Sequence, residues 1–237
     1  MMKVIRILLL FSCAVPAVAQ ENIYVRAVYG TYQMRDLKEF QEEMLSDFQN
    51  DLLPVKIVSA FPASLQLEAG MDFTTKRYTL GFFANYAITS GKLHYSDYSG
   101  ETFAEQNLNR ISIGIKGSTP IARHLDLYAK VSGGLSSLNL NFETHINGAS
   151  SGAKEEVDFK AMGVSVEPGM IWQVPFQKFL FSISGGYELN FNGKTKFEEL
   201  SSDTYLVNDN NEPVSIDWSG MRVSVGIAYV LKGSSFE

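Results

Sequence analysis

From residue 23 onward, apolar and polar side chains alternate with a period of two in eight separate stretches. That period belongs to strands whose two faces see different surroundings. The first stretch, Ile23 to Met34, puts Ile23, Val25, Ala27 and Tyr29 on one face and Tyr24, Arg26 and Gly30 on the other. The second lies within Val55 to Asp72, with Leu65, Leu67, Ala69 and Met71 opposed to Ser64, Gln66, Glu68 and Gly70; Pro62 marks a bulge or an unpaired piece. The third, Arg77 to about Tyr95, turns Tyr78, Leu80, Phe82, Ala84, Tyr86 and Ile88 outward. The fourth, Phe103 to Lys116, sets Ile111, Ile113 and Ile115 against Arg110, Ser112, Gly114 and Lys116.

In the fifth, Leu125 to His145, Leu125, Leu127, Ala129 and Val131 alternate with Asp126, Tyr128, Lys130 and Ser132. The apolar parity then changes near Ser136-Ser137 to Leu138, Leu140 and Phe142, which predicts a bulge or a strand leaving the membrane. The sixth, Val157 to Gln173, turns Met162, Val164, Val166, Met170 and Trp172 outward. The seventh, Phe179 to Lys196, opposes Phe179, Phe181, Ile183, Tyr187, Leu189 and Phe191 to Ser182, Ser184, Glu188, Asn190 and Asn192. The eighth, Ser215 to Leu231, opposes Met221, Val223, Val225, Ile227, Tyr229 and Leu231 to Arg222, Ser224, Gly226 and Ala228. Each stretch exceeds the roughly 9–11 residues that a tilted strand needs to cross a bilayer. The polar face favours Gly and Ser, as a narrow eight-stranded interior requires. Ile-Ser-Ile-Gly-Ile at 111–115 and Val-Ser-Val-Gly-Ile at 223–227 repeat this grammar without forming a solenoid repeat.

The connections alternate in length. Residues 73–76, 117–124 and 174–178 are short; 35–54, 98–102, 146–156 and 198–214 are mostly longer and polar. Outer-membrane barrels place short turns in the periplasm and long loops outside, so an even strand count leaves both termini periplasmic. The expected fold is all-β: an eight-stranded antiparallel up-and-down transmembrane β-barrel with one amphipathic helix in the first extracellular loop. That helix spans about 36–52. Leu37, Phe40, Met44, Leu45, Phe48 and Leu52 share one face, and Asp36 caps it with Glu39 three residues on. It is expected to fold over the barrel rim, with a lid or partner-binding helix as the alternative.

Residues 1–19 read as a secretory signal. Lys3 and Arg6 are basic, Ile7 to Phe11 are apolar, and Ala17-Val18-Ala19 suits cleavage before Gln20. The competing reading acylates Cys13 within Leu10-Phe11-Ser12-Cys13. Residues 20–237 then form one barrel domain. Cys13 is the only cysteine, so cleavage leaves neither a disulfide scaffold nor a thiolate metal site. Lys3 and Arg6 are the only charges removed, taking the net charge from −6 to −8. That balance argues against a nucleic-acid partner. Mean hydropathy is close to zero, at −0.03, because apolar and polar positions cancel, and no segment after residue 19 is apolar enough for a spanning helix.

On this pattern the chain resembles the small eight-stranded outer-membrane barrels of the OmpA/OmpX class, over nearly all of residues 21–232. The resemblance implies an outer-membrane location, contact with outer-membrane lipid, handling by the barrel-assembly machinery, and a monomer. Many such barrels end on an aromatic residue; here Phe236 is penultimate and Tyr229 is the last aromatic of the final strand.

If the parity holds, Arg26, Glu68, Arg110, Lys116, Lys130, Glu167, Glu188 and Arg222 point inward. Buried charges must be paired or hydrated, so a plugging salt-bridge network is expected, with a narrow gated channel for small solutes as the alternative. A structural, surface-interaction or adhesive role follows, with an extracellular partner reached through acidic loops. No cofactor is implied. The three histidines are scattered and form no ligand set. A lipid hydrolase would need a nucleophile and base at the outer rim; His145 with Ser150 or Ser151, or His94, are the candidates there, while His124 falls in a periplasmic turn. Tyr78, Trp172, Phe176, Phe179 and Tyr229 at the turn side, and Tyr86, Phe142 and Phe191 at the loop side, read as interfacial girdles. The rival fold is a secreted lipocalin-like barrel with an apolar ligand inside.

Overall fold

A computed structural model describes residues 20–50, 54–75, 77–98, 100–146, 153–197 and 205–232. Its strands are β1 (Gln20–Gly30), β2 (Lys56–Ala60), β3 (Ser64–Thr74), β4 (Thr79–Ser96), β5 (Gly100–Ala122), β6 (Leu125–Ile146), β7 (Ala153–Phe176), β8 (Phe179–Asn192), β9 (Lys196–Phe197) and β10 (Gly220–Lys232); the helix α1 is Arg35–Asn50. Neighbours run β4-β3-β1-β10-β8-β7-β6-β5, and β5 pairs with β4 to close the ring. Eight antiparallel walls result. Strands β2 and β3 form one wall, both pairing with β4. The break between them falls at Phe61, Pro62 and Ala63: Phe61 takes a positive φ of 50°, and Pro62 has no N–H to give a ladder.

Three tight turns and the described chain ends Gln20 and Lys232 share one end of the barrel. The turns pivot on Thr75, whose hydroxyl donates to the Tyr78 carbonyl, and on His124 and Gln177, both in left-handed conformation. Strands β5, β6 and β7 are longer than expected, at 23, 22 and 24 residues. They consume most of the 117–124 and 174–178 connections at the turn end and rise well past the membrane band at the loop end. The last wall is shorter than expected: Ser215 to Ser219 precede β10, with Ser215 bridging Lys194 and the Asp217 and Ser219 carbonyls accepting from Met34 N and Gln33 N. The seventh ends at Asn192, with Lys196–Phe197 forming β9 on β7.

The outer face carries a continuous belt of exposed apolar side chains, including Ile23, Phe82, Ile113, Met162, Ile183 and Val225. The inner face of that band is polar, with Arg26, Glu68, Lys130 and Glu188 buried. A lipocalin has these faces the other way round. Only lipid tails make such an exterior favourable, so the fold is an eight-stranded transmembrane barrel.

Near Ser136-Ser137 the structure decides against the bulge, one of the two alternatives that the change of parity offers. Register is unbroken there: Ser136 faces Arg110 and Ala161, and Leu138 faces Leu108 and Phe159. There is no bulge. Leu138 and Leu140 stay on the inward parity of Lys130 and Ser132 and are buried. What changes is the interior, which turns from ionic to apolar above the lipid band. Phe142 likewise packs inward on this core, so it is not a girdle residue.

This upper core gathers Leu108, Leu138, Phe159 and Ala87 from the walls, Phe61 from the β2–β3 break, and Val214, Ile216 and Trp218 from the segment before β10. Helix α1 and the residue before it close the core, with Met34 and Leu37 fully buried and Phe40 packed alongside. Met44, Leu45 and Phe48 cover Val55, Leu93 and Ala104 in an adjoining cluster; Leu52 lies outside the described residues. The apolar face is the one the sequence predicts, whereas Asp36 is not the cap. It sits inside the first turn, where acid suits the helix dipole, and accepts hydrogen bonds from Ser215 N at 3.1 Å and Ser215 Oγ at 2.5 Å. The carboxylate thus ties the helix to the segment that carries Trp218.

Candidate functional site: the charged barrel interior

Period two carries all eight sequence-nominated charges into the barrel, and register sorts them into two tiers. In the tier nearer the turns, Arg26 Nη1 donates to Glu68 Oε1 at 3.2 Å, and Lys130 Nζ donates to Glu68 Oε2 at 2.7 Å. Lys130 also lies 3.2 Å from Glu167, which accepts from the Tyr128 hydroxyl at 2.6 Å. Lys116 Nζ donates to Asp72 Oδ2 at 2.5 Å. The Tyr24 ring lies 4.2 Å from the Arg26 guanidinium and 4.8 Å from the Lys116 ammonium. Phe83 and Tyr128 flank Lys130 at 5.4 and 5.3 Å. Aromatic faces thus add attraction to three cations already matched by the carboxylates of Glu68, Asp72 and Glu167.

In the second tier Glu188 accepts from two arginines. Arg110 Nη1 reaches Oε1 at 2.6 Å, and Arg222 Nε reaches Oε2 at 3.0 Å. Further donors of both arginines are also used. Arg110 Nη2 donates to Ser165 Oγ at 3.1 Å; Arg222 donates to the carbonyls of Thr31 at 2.6 Å and Trp218 at 2.5 Å. Trp218 Nε1 donates to Ser136 Oγ at 2.9 Å, and the Tyr32 ring packs edge-on to Trp218 at 5.0 Å. Trp218 therefore joins the ionic tier to the apolar core above it.

Asp72 and Trp218 were not nominated from the sequence. Asp72 continues the Gln66, Glu68, Gly70 face by two residues, and that parity alone would have found it. Trp218 lies outside any alternating strand, so parity carries no information about it. Between the tiers, Gln66, Asn85, Ser112, Ser132 and Arg222 are among the residues lining a cavity of about 20 Å³, room for about one water.

The rim histidines make local pairs. His94 Nε2 lies 2.8 Å from Glu101 Oε1, and His145 Nε2 lies 2.5 Å from Glu143 Oε1, all on exposed strand ends. His124 sits in the β5–β6 turn at the opposite end. Ser150 and Ser151, like Cys13 and the rest of residues 1–19, lie outside the described residues. Among the described residues no group of three His, Cys, Asp or Glu is placed to hold a metal ion.

No protein-family model matches the chain. No curated protein matches it either. Solved structures do. Neisserial surface protein A is 10% identical, with 88% of this chain and 96% of that chain covered and a TM-score of 0.37. Ail, the attachment invasion locus protein of Yersinia pestis, solved with the heparin analogue sucrose octasulfate, is 10% identical over 90% and 98% of the two chains, with a TM-score of 0.37. The N-terminal β-barrel domain of Pseudomonas aeruginosa OprF is 14% identical over 90% and 99%, with a TM-score of 0.28.

Proposed function

We propose that this chain is an integral outer-membrane protein that displays a rigid, acidic surface on a sealed barrel and does not act as a pore. The carrying observation is the filled interior: two ionic tiers with room for about one water between them, under an apolar core closed by α1. The short turns and chain ends face the periplasm on this reading, and β4 to β7 rise outside the cell. Their outward face there is polar and rich in acid, with Glu105, Glu156 and Asp158 beside Asn107 and Asn139. A partner with a basic surface suits that face. The role is structural or one of surface interaction, and it needs no catalysis.

Two measurements test it. Heat-modifiable migration after refolding into lipid vesicles reports the closed barrel. Planar-bilayer recording on the same material should show no steady unitary conductance. Porin-like currents from the intact chain would overturn the sealed-barrel reading in favour of a solute channel.

A further inference from the structure

The two ends of the barrel differ in the sign of their exposed charge. At the loop end, Glu39, Glu42 and Asp47 of α1 and Glu156 and Asp158 of β7 are exposed. At the other end each of the three tight turns carries an exposed cation: Arg77 between β3 and β4, Arg123 between β5 and β6, and Lys178 between β7 and β8. The turns contain no acid, and Lys76 adds a further base beside Arg77 in the sequence. The ion pairs of the described residues use none of the three. Acids near this end stand elsewhere. Asp72 is held inside by Lys116, Asp126 has the inward parity of Tyr128 and Lys130, and half-buried Glu21 has Lys232 opposite it on the ladder; Glu237 lies outside the described residues. The turns themselves are fastened through their main chains. Thr119 Oγ1 donates to the Arg77 carbonyl at 3.3 Å, Gln173 N to that of His124 at 2.8 Å, and Val230 N to that of Lys178 at 2.9 Å.

We infer that Arg77, Arg123 and Lys178 form a ring that selects the phosphate headgroups of anionic phospholipids in the inner leaflet. This inference rests on the outer-membrane reading above, which places the turns in the periplasm. Depth supports a lipid. Arg77 adjoins exposed Tyr78; Lys178 adjoins exposed Phe179, whose ring packs edge-on to Tyr229 at 5.5 Å; exposed Ile121 lies two residues before Arg123. Tyrosines mark the level where tails give way to headgroups, and Arg and Lys stems reach from an apolar surface to the charge beside it. Distribution supports a lipid as well. Strand order puts the three turns in three successive quarters of the ring and the described chain ends in the fourth. A single globular partner or polymer strand would meet one sector, whereas annular lipid meets them all. Cations at an anionic membrane surface are attracted individually, so each turn acts on its own lipid, and the arginines can hold phosphate through two donors at once.

The test uses the full barrel refolded into nanodiscs of phosphatidylcholine and phosphatidylglycerol with matched acyl chains. Native mass spectrometry reads the lipid retained on the protein. The wild-type barrel is expected to retain phosphatidylglycerol about fivefold over its share of the bilayer. R77Q/R123Q/K178Q is expected to lose most of that enrichment, and R77K/R123K/K178R to keep it. R35Q/K56Q, which removes two exposed cations at the loop end, is expected to behave as wild type. No enrichment on the wild type, an unchanged enrichment in the triple Gln variant, or an equal loss in R35Q/K56Q would each overturn the ring. Loss of the enrichment to millimolar inorganic phosphate at matched ionic strength would make it a free-anion site. Co-sedimentation of the detergent-solubilised barrel with peptidoglycan sacculi, abolished in the triple Gln variant, would assign the cations to a periplasmic polymer. Either result would overturn the lipid assignment. Heat-modifiable migration is read on every sample. A chain that fails to insert counts against the outer-membrane reading; one that inserts without enrichment counts against the ring alone.

Discussion

At the scale of single residues, the interior is decided by hydrogen-bond satisfaction. Glu188 is buried between Arg110 and Arg222, and both guanidinium groups spend further donors on Ser165, Thr31 and Trp218. Such a pair adds little over a well-packed apolar core, but removing one partner leaves a buried charge uncompensated, at about 3–5 kcal/mol. Glu188→Gln is expected to destabilise the barrel by about that much, measured by urea unfolding in lipid vesicles. Glu156→Gln, on the exposed face, is expected to change it by about 0.5 kcal/mol or less. Equal effects would move Glu188 out of the packed interior. Room for these side chains comes from their neighbours. Gly226 faces Arg26 in register, and a Cβ there would collide with the Arg26 side chain. The opposite face is tested at Val225, which is exposed in mid-belt. Val225→Arg is expected to cost roughly 2–4 kcal/mol at mid-bilayer, while Val225→Leu is nearly neutral. Equal refolding yields for the two in vesicles would mean that this face does not meet lipid.

At the scale of elements, two periodicities suffice for much of the design. Period two exposes the eight walls, and the spacing of Leu37, Phe40, Met44 and Phe48 exposes the face that α1 buries. Period alone fails where an element keeps its parity but changes its surroundings. Leu138 and Leu140 look like a parity switch because apolar residues are assumed to face lipid. Above the belt that assumption reverses: water lies outside and the core inside. Asp36 has the residue type of a cap, yet Ser215, 179 positions away, takes its carboxylate. Tertiary contacts of that kind leave no local trace. The helix is therefore more than a loop ornament. Leu37→Ala is expected to loosen the upper core by about 2–5 kcal/mol. Hydrogen exchange should quicken in α1 and around Trp218 while the wall segments within the belt stay protected. Uniform loss of protection across all eight walls would show one cooperative unit instead of two.

At the scale of the whole molecule, strand number, order and the lipid-facing side follow from the sequence pattern. The pairing of charges does not, because Lys116 with Asp72 and Arg110 with Glu188 depend on stagger between strands that lie 44 and 78 residues apart. Nor does the second storey, since its roof is assembled from α1, the β2–β3 break and residues 214–218, none of them an alternating strand. The two storeys put two barriers in series along the barrel axis. The lower is ionic and tied by hydrogen bonds; the upper is apolar and excludes water. Opening one leaves the other shut. Deleting residues 36–51 together with Trp218→Ala strips the roof, yet conductance in planar bilayers is expected to stay at baseline, because Arg110, Glu188 and Arg222 still fill the lumen. Replacing those three with Ala beneath an intact roof is also expected to give no steady current. Extending the replacement to Glu68, Lys130 and Glu167 of the turn-side tier, and combining it with the stripped roof, should produce a current that neither set gives alone. A steady current from the roof deletion by itself would locate the whole seal in the upper core, and the ionic tiers would then be lining instead of barrier.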